Sequence, residues 1–124
     1  MFFSRKPGLR YVDRGDPADI DFNNNDLILD DTWHELDLSA VIPTNAKLVC
    51  CIAFVVATNL SALPMAYDVY GKTNHNTGYV HNLSTVDLPS SLCFTIPVSA
   101  NRKILYNGIT DIAVWGLTVQ GWWI

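Results

Sequence analysis

The run Ala46-Lys-Leu-Val-Cys-Cys-Ile-Ala-Phe-Val-Val-Ala-Thr58 restricts this chain more than any other stretch. Its β-branched, aromatic and thiol side chains suit a strand, and it is far short of the about 20 apolar residues a helix needs to cross a bilayer. Written as a strand, one face shows Lys47, Val49, Cys51, Ala53, Val55 and Ala57. The other shows Leu48, Cys50, Ile52, Phe54, Val56 and Thr58. A half-exposed antiparallel strand alternates apolar with polar, and here neither face does. Residues 110–123 behave the same way. A small sandwich has a single core between its sheets, so the second apolar face must be covered by a loop, by the chain's own arm or by another subunit. A subunit interface is the preferred expectation, because obligate interfaces resemble a core cut in half. Its candidate residues are Leu48, Cys50, Ile52, Phe54, Val56 and Trp122.

Most of the remaining chain reads as short strands rich in Thr, Val, Ile and aromatics, separated by Asn, Gly, Pro and Ser. The runs are 18–22, 32–38, 46–58, 65–70, 78–83, 91–98, 103–106 and 110–123. Residues 39–43 fit one helical turn between strands. No stretch has the period of a long amphipathic helix. The pattern predicts an all-β fold: an antiparallel β-sandwich, jelly-roll-like, of about eight strands. A short extended N-terminal arm, 1–17, precedes the sandwich domain, 18–124.

Charge is sparse and unevenly placed. Only 16% of the 124 residues are charged and the formal net charge is −4, which argues against a general nucleic-acid binder. Arg5, Lys6, Arg10 and Arg14 supply half of the 8 basic residues. That cluster suggests a basic arm ahead of an acidic domain, with Phe2, Phe3, Arg5, Lys6, Arg10 and Tyr11 as candidate anchoring residues that order on a partner's surface. Met-Phe-Phe-Ser-Arg-Lys-Pro lacks the apolar core of a secretory signal, so the expectation is synthesis in a cytoplasm without membrane insertion.

No motif in the sequence carries catalysis. Cys50 and Cys51 are adjacent in a strand and point to opposite faces, and no Cys or His lies at ligand spacing from either or from Cys93. Asp21-Phe-Asn23-Asn-Asn25 begins like a calcium loop, but Asp26 stands where Gly is required and Thr32 where the bidentate Glu belongs. A less regular cation site at Asp26, Asp30 and Asp31 stays open. Arg14-Gly15-Asp16 is a three-residue match to an integrin-ligand tripeptide, read as a turn. No serine sits in a G-x-S-x-G context, and Glu35 and Asp37 share a strand face that reads as its solvent side. Asn59-Leu-Ser61 and Asn82-Leu-Ser84 are formal sequons, read as loop asparagines. The expectation is a non-enzyme without metal or cofactor.

Tyr67, Tyr70, Asn74, His75, Asn76 and Tyr79 form a different group. Aromatic rings stack on sugars and amides hydrogen-bond their hydroxyls, so these are candidate glycan contacts on loops at one end of the sandwich. They support an alternative reading, a carbohydrate-binding, lectin-like module. The chain's last residues, Val-Gln-Gly-Trp-Trp-Ile, read as the end of the final strand. If that strand is regular, Trp123 continues the core row of Trp115, Leu117 and Val119, and Trp122 faces outward.

Thr32-Trp-His-Glu-Leu-Asp-Leu-Ser39, then Val41-Ile-Pro43 and Ala46-Lys47, and the closing Gly121-Trp122-Trp123 together resemble small β-sandwich domains of bacteriophage virion proteins, of the head-fibre, decoration and tail-fibre knob type. The resemblance covers about 30–124 and rests on core and turn residues. It implies a jelly-roll-like sandwich, commonly trimeric, attached through an N-terminal segment; capsid or tail proteins are the expected partners, and the exposed loops would face outward, with host-surface glycan as a further candidate partner. The expected location is the virion.

Overall fold

Nine strands and one short 3-10 turn account for the regular structure in the computed structural model, which describes residues 8–58 and 61–124, with the backbone alone over 61–63. The strands are β1 (Tyr11–Asp13), β2 (Phe22–Asn23), β3 (Trp33–Asp37), β4 (Leu48–Ala57) and β5 (Ser61–Val69), then β6 (Val80–Ser84), β7 (Ser90–Pro97), β8 (Lys103–Gly108) and β9 (Ile112–Trp123). One antiparallel sheet runs β1–β9–β4–β7, with β2 also paired to β9; the other runs β3–β8–β5–β6. From β2 onward the orders are 2-9-4-7 facing 3-8-5-6, the arrangement two interlocked Greek keys produce. The fold is the jelly-roll sandwich that the strand pattern predicts.

Alternation fixes which side chains meet. Val49, Cys51, Ala53, Val55 and Ala57 of β4 are fully buried, as are Trp115, Leu117 and Val119 of β9. Opposite them lie Leu36, Met65, Tyr67, Ile104 and Tyr106 from the second sheet. Trp115 Nε1 donates to Tyr67 Oη at 2.8 Å, joining the sheets through the core. Tyr67 also stacks on Phe94, with ring centroids 4.7 Å apart. Burial pushes the Tyr67 phenol well above its ordinary pKa. Tyr67 is therefore a core residue, and the expectation of a glycan contact there fails by strand parity. Asn82 is likewise buried in β6 rather than on a loop, and its amide donates to Ala53 O at 3.1 Å.

Two register shifts decide the fate of β9. Cys50 pairs with Gly121 but Cys51 with Val119, so Gln120 is the extra residue of a β-bulge. A second shift falls at Val56/Ala57 and leaves Ala113 exposed while Ile112 turns inward. The first bulge exchanges the two closing tryptophans. Trp122 pairs with Val49 and packs on the core, whereas Trp123 pairs with Leu48 on the outer face, 4.7 Å from the Tyr11 ring. The expected outward Trp122 is thus corrected; a regular strand is what that expectation needed.

Residues 10–13 are part of the sheet. Arg10 exchanges two backbone hydrogen bonds with Ile124, and β1 follows antiparallel to β9. Val119 pairs with Cys51 on one side, but on its other edge it falls in the gap between β1 and β2, where no strand residue pairs with it. Arg14 and Asp21 fill the gap: Asp21 accepts from Val119 N at 2.7 Å, Arg14 donates to Val119 O at 3.1 Å, and the two side chains pair with each other. The sandwich therefore begins before residue 18, and Arg10 and Tyr11 belong to it. Phe2, Phe3, Arg5 and Lys6 lie outside the described residues. Arg14 of the Arg-Gly-Asp tripeptide is committed to Asp21.

Candidate functional site

The outer faces of the two sheets offer two different surfaces. On the β1–β9–β4–β7 sheet, Leu48, Cys50, Phe54 and Val56 are half-buried and Ile52 is 37% exposed. Val114, 44% exposed, and Trp123 extend this face along β9. No Cβ fits on Gly116 because the Phe54 ring lies across its backbone, and none fits on Gly121 beneath Tyr11. These glycines let two aromatic rings lie flat, so the face stays smooth. Cys50 and Cys93 both donate to Gln120 Oε1, at 3.3 and 3.2 Å. Burial raises the Cys50 thiol's pKa, and Cys51 behind it is raised much further for the same reason. All three cysteines are free thiols. A groove of about 480 Å³ runs between Tyr11, Pro17 and Ile52.

The second sheet carries a polar cavity of about 340 Å³. Register builds its floor. Trp33 pairs with Asn107, Asn107 with Ala66, and Ala66 with His81, so one lateral row crosses all four strands on the outer face. Ala66, the smallest of the four, leaves the depression. The row below contains Glu35, Leu105 and Asp68. Asp68 should be solvent-exposed by parity, yet it is 0% exposed. The β5–β6 connection folds back over it: His75 Nδ1 lies 2.6 Å from Asp68 Oδ2, and Asp68 Oδ1 accepts from Val69 N at 2.7 Å. A carboxylate accepts, so the imidazole carries its proton on Nδ1 and leaves Nε2 available.

Trp33 stacks on the His75 ring with centroids 3.9 Å apart and planes 14° from parallel. Tyr79 stands edge-on to both Trp33 and His81, with centroids at 6.4 and 4.5 Å. Asn74, Asn76 and Asp31 complete the wall. Asp31 and His75 have φ of 61° and 55°, a region non-glycine residues seldom occupy and one that costs of order 1–3 kcal/mol each. The buried Nδ1 of His81 has no hydrogen-bond partner among the described residues.

Of the six candidate glycan contacts, Asn74, His75, Asn76 and Tyr79 come together here. Tyr67 is in the core, and Tyr70 sits apart near the Lys103–Glu35 ion pair, with Lys103 Nζ 5.8 Å from its ring centroid. Lys103 lowers the Glu35 pKa by hydrogen bonding, and Glu35 raises that of Lys103. The sequence reading missed Trp33, His81 and Asn107. Trp33 was within reach: it shares parity with Glu35 and Asp37, so an aromatic stood on a face already read as solvent.

The acidic residues considered for a cation have other tasks. Asp26 accepts from Asn23 N at 2.8 Å and caps the 3-10 turn, and Asp30 binds Thr32 and His34. Among the described residues no group of three His, Cys, Asp or Glu side chains converges as a metal site. No helix there is long and apolar enough to cross a membrane. No protein-family model and no curated protein sequence matches this chain.

Proposed function

We propose that this chain is a non-enzymatic structural component of a bacteriophage virion, a homo-oligomeric jelly-roll knob joined through the outer face of the β1–β9–β4–β7 sheet. The observation that carries the self-association is the chemistry of that face. Its outward positions on β4, β7 and β9 include Leu48, Ile52, Phe54, Val56, Thr95, Val114, Thr118 and Trp123, and none of them is charged. Interface centres are depleted in charge in the same way. In a chain of net charge −4, this uncharged β4–β7–β9 surface, with Asp13 and Asp16 at its β1 edge, is where a second copy meets the first with little like-charge repulsion. Closed cyclic symmetry is expected, with three copies as the resemblance to virion knobs implies. Attachment to capsid or tail proteins is assigned to Phe2, Phe3, Arg5 and Lys6, since the backbone of Arg10 and the ring of Tyr11 are held by β9.

Sedimentation velocity of the purified chain tests this reading. A discrete oligomer at micromolar concentration is expected. Ile52→Arg should convert it to monomer, because one charge per subunit is buried without a partner. The change in subunit stability should stay within about 0.5 kcal/mol, as for other surface substitutions. A wild-type monomer at that concentration would sink the proposal.

A further inference from the structure

We propose that the cavity on the outer face of the β3–β8–β5–β6 sheet binds a single ring of a neutral sugar, of the hexose or N-acetylhexosamine class. The inference is independent of self-association, since the two surfaces lie on opposite sheets. Four observations lead to it.

The first is size: about 340 Å³ lies at the small end of ligand cavities and suits one ring rather than an extended chain. The second is the aromatic surface. Tyr79 is 39% exposed yet oriented by perpendicular contacts to Trp33 and His81, so it offers an ordered, part-exposed aromatic ring to the C–H groups of a sugar. The third is polarity. Asn74, Asn76 and Asn107 line the cavity, and each amide both donates and accepts. A hydroxyl also donates and accepts, so neighbouring hydroxyls can be matched in pairs. Asp31 supplies acceptors, and Nε2 of His75 one more group. No Lys or Arg lines this cavity, and the one exposed charge there, Asp31, would repel a sialic acid or a sulfated sugar.

The fourth is pre-organisation. Asp68 fixes the His75 ring from below, and Trp33 fixes it from the side. Groups already ordered lose little entropy on binding.

One ring held this way should bind weakly, with Kd on the order of 1 mM; several copies on one oligomer would raise the avidity. The test is an NMR titration of the full chain with the methyl glycosides of glucose, galactose, mannose, N-acetylglucosamine and N-acetylgalactosamine, and with N-acetylneuraminic acid. At least one neutral glycoside should saturably shift the Trp33 indole and the amides of residues 74–79, while the acidic sugar should not. Tyr79→Ala should weaken that binding about tenfold or more, and Tyr79→Phe should keep most of it. Asn107→Ala, on the rigid strand, should weaken binding without disturbing the loop, and it decides the matter if Tyr79→Ala loses its native spectrum. Saturation by none of the neutral glycosides overturns the proposal. So does preference for N-acetylneuraminic acid, or binding indifferent to both Tyr79→Ala and Asn107→Ala.

Discussion

Across β4 the outward side chains are Leu48, Cys50, Ile52, Phe54 and Val56; across β3 they are Trp33, Glu35 and Asp37. Both strands contribute their alternate residues to one core, yet the surfaces behind them are shaped differently. The β4 face is made by the sheet itself, with Gly116 and Gly121 giving flat seats to Phe54 and Tyr11. The β3 face is finished by a loop that folds over the sheet and is held by His75 on Asp68. A surface built by the sheet depends on many ladder hydrogen bonds, each of modest worth. A surface built by a loop depends on a few anchors. Damage to the first should therefore be spread out, and damage to the second local and abrupt.

The largest effect is expected at that anchor. Asp68→Ala removes the partner of His75 and the acceptor of Val69 N–H, and it should lower stability by about 3 kcal/mol, as for breaking a buried polar pair. Protease should cut within residues 71–79 of the variant and not of the parent, while the oligomer persists. Denaturant unfolding and limited proteolysis check both halves. If the loop stays resistant and stability is unchanged, the loop is not held by this anchor and the contrast between the two faces collapses.

A smaller effect separates the closing tryptophans. Trp122 packs on the core beside Val49, and Trp123 lies outside against Tyr11. Trp122→Ala should cost about 2 kcal/mol, less than for a fully buried tryptophan because the ring is only partly buried. Trp123→Ala should cost about 1 kcal/mol, the scale of one aromatic contact, and should speed hydrogen exchange at residues 11–13. Equal costs and unchanged exchange would mean that Gln120 does not bulge β9.

These two residues also mark where the sequence stops being legible. Burial alternates strictly along β4 and β7, so strand identity, sandwich architecture and most of the core follow from counting by twos. A bulge costs one residue and reverses every face beyond it, and nothing in Val-Gln-Gly-Trp-Trp announces whether Gln120 is paired. β1 escaped the reading for a related reason: Tyr-Val-Asp is too short to show a period. The cavity was half visible. Asn74, His75, Asn76 and Tyr79 lie within six positions of one another, whereas Trp33, Ala66, His81 and Asn107 meet only through the β3–β8–β5–β6 register.

The smallest effect concerns acid. Asp30, Glu35 and Asp37 all titrate below their ordinary values of 3.8, 4.5 and 3.8. Hydrogen bonds from Thr32, Lys103 and the Ser39 backbone, respectively, are the leading causes. A carboxyl whose pKa is depressed by folding stabilises the folded state above its unfolded value, and that contribution is lost as pH falls through its folded value. All three flank or lie on β3, an edge strand of its sheet, and none lies on the β4 face. Acidification from about pH 5 to about pH 2 should therefore release β3 amides to exchange before those of β4 and β9. These carboxylates are exposed, so the change should be small and should shrink further with added salt. NMR titration of the three carboxyl groups, read beside amide exchange in both sheets, measures it. Midpoints at or above the ordinary values, or β4 loosening together with β3, would show that acid does not distinguish the two faces.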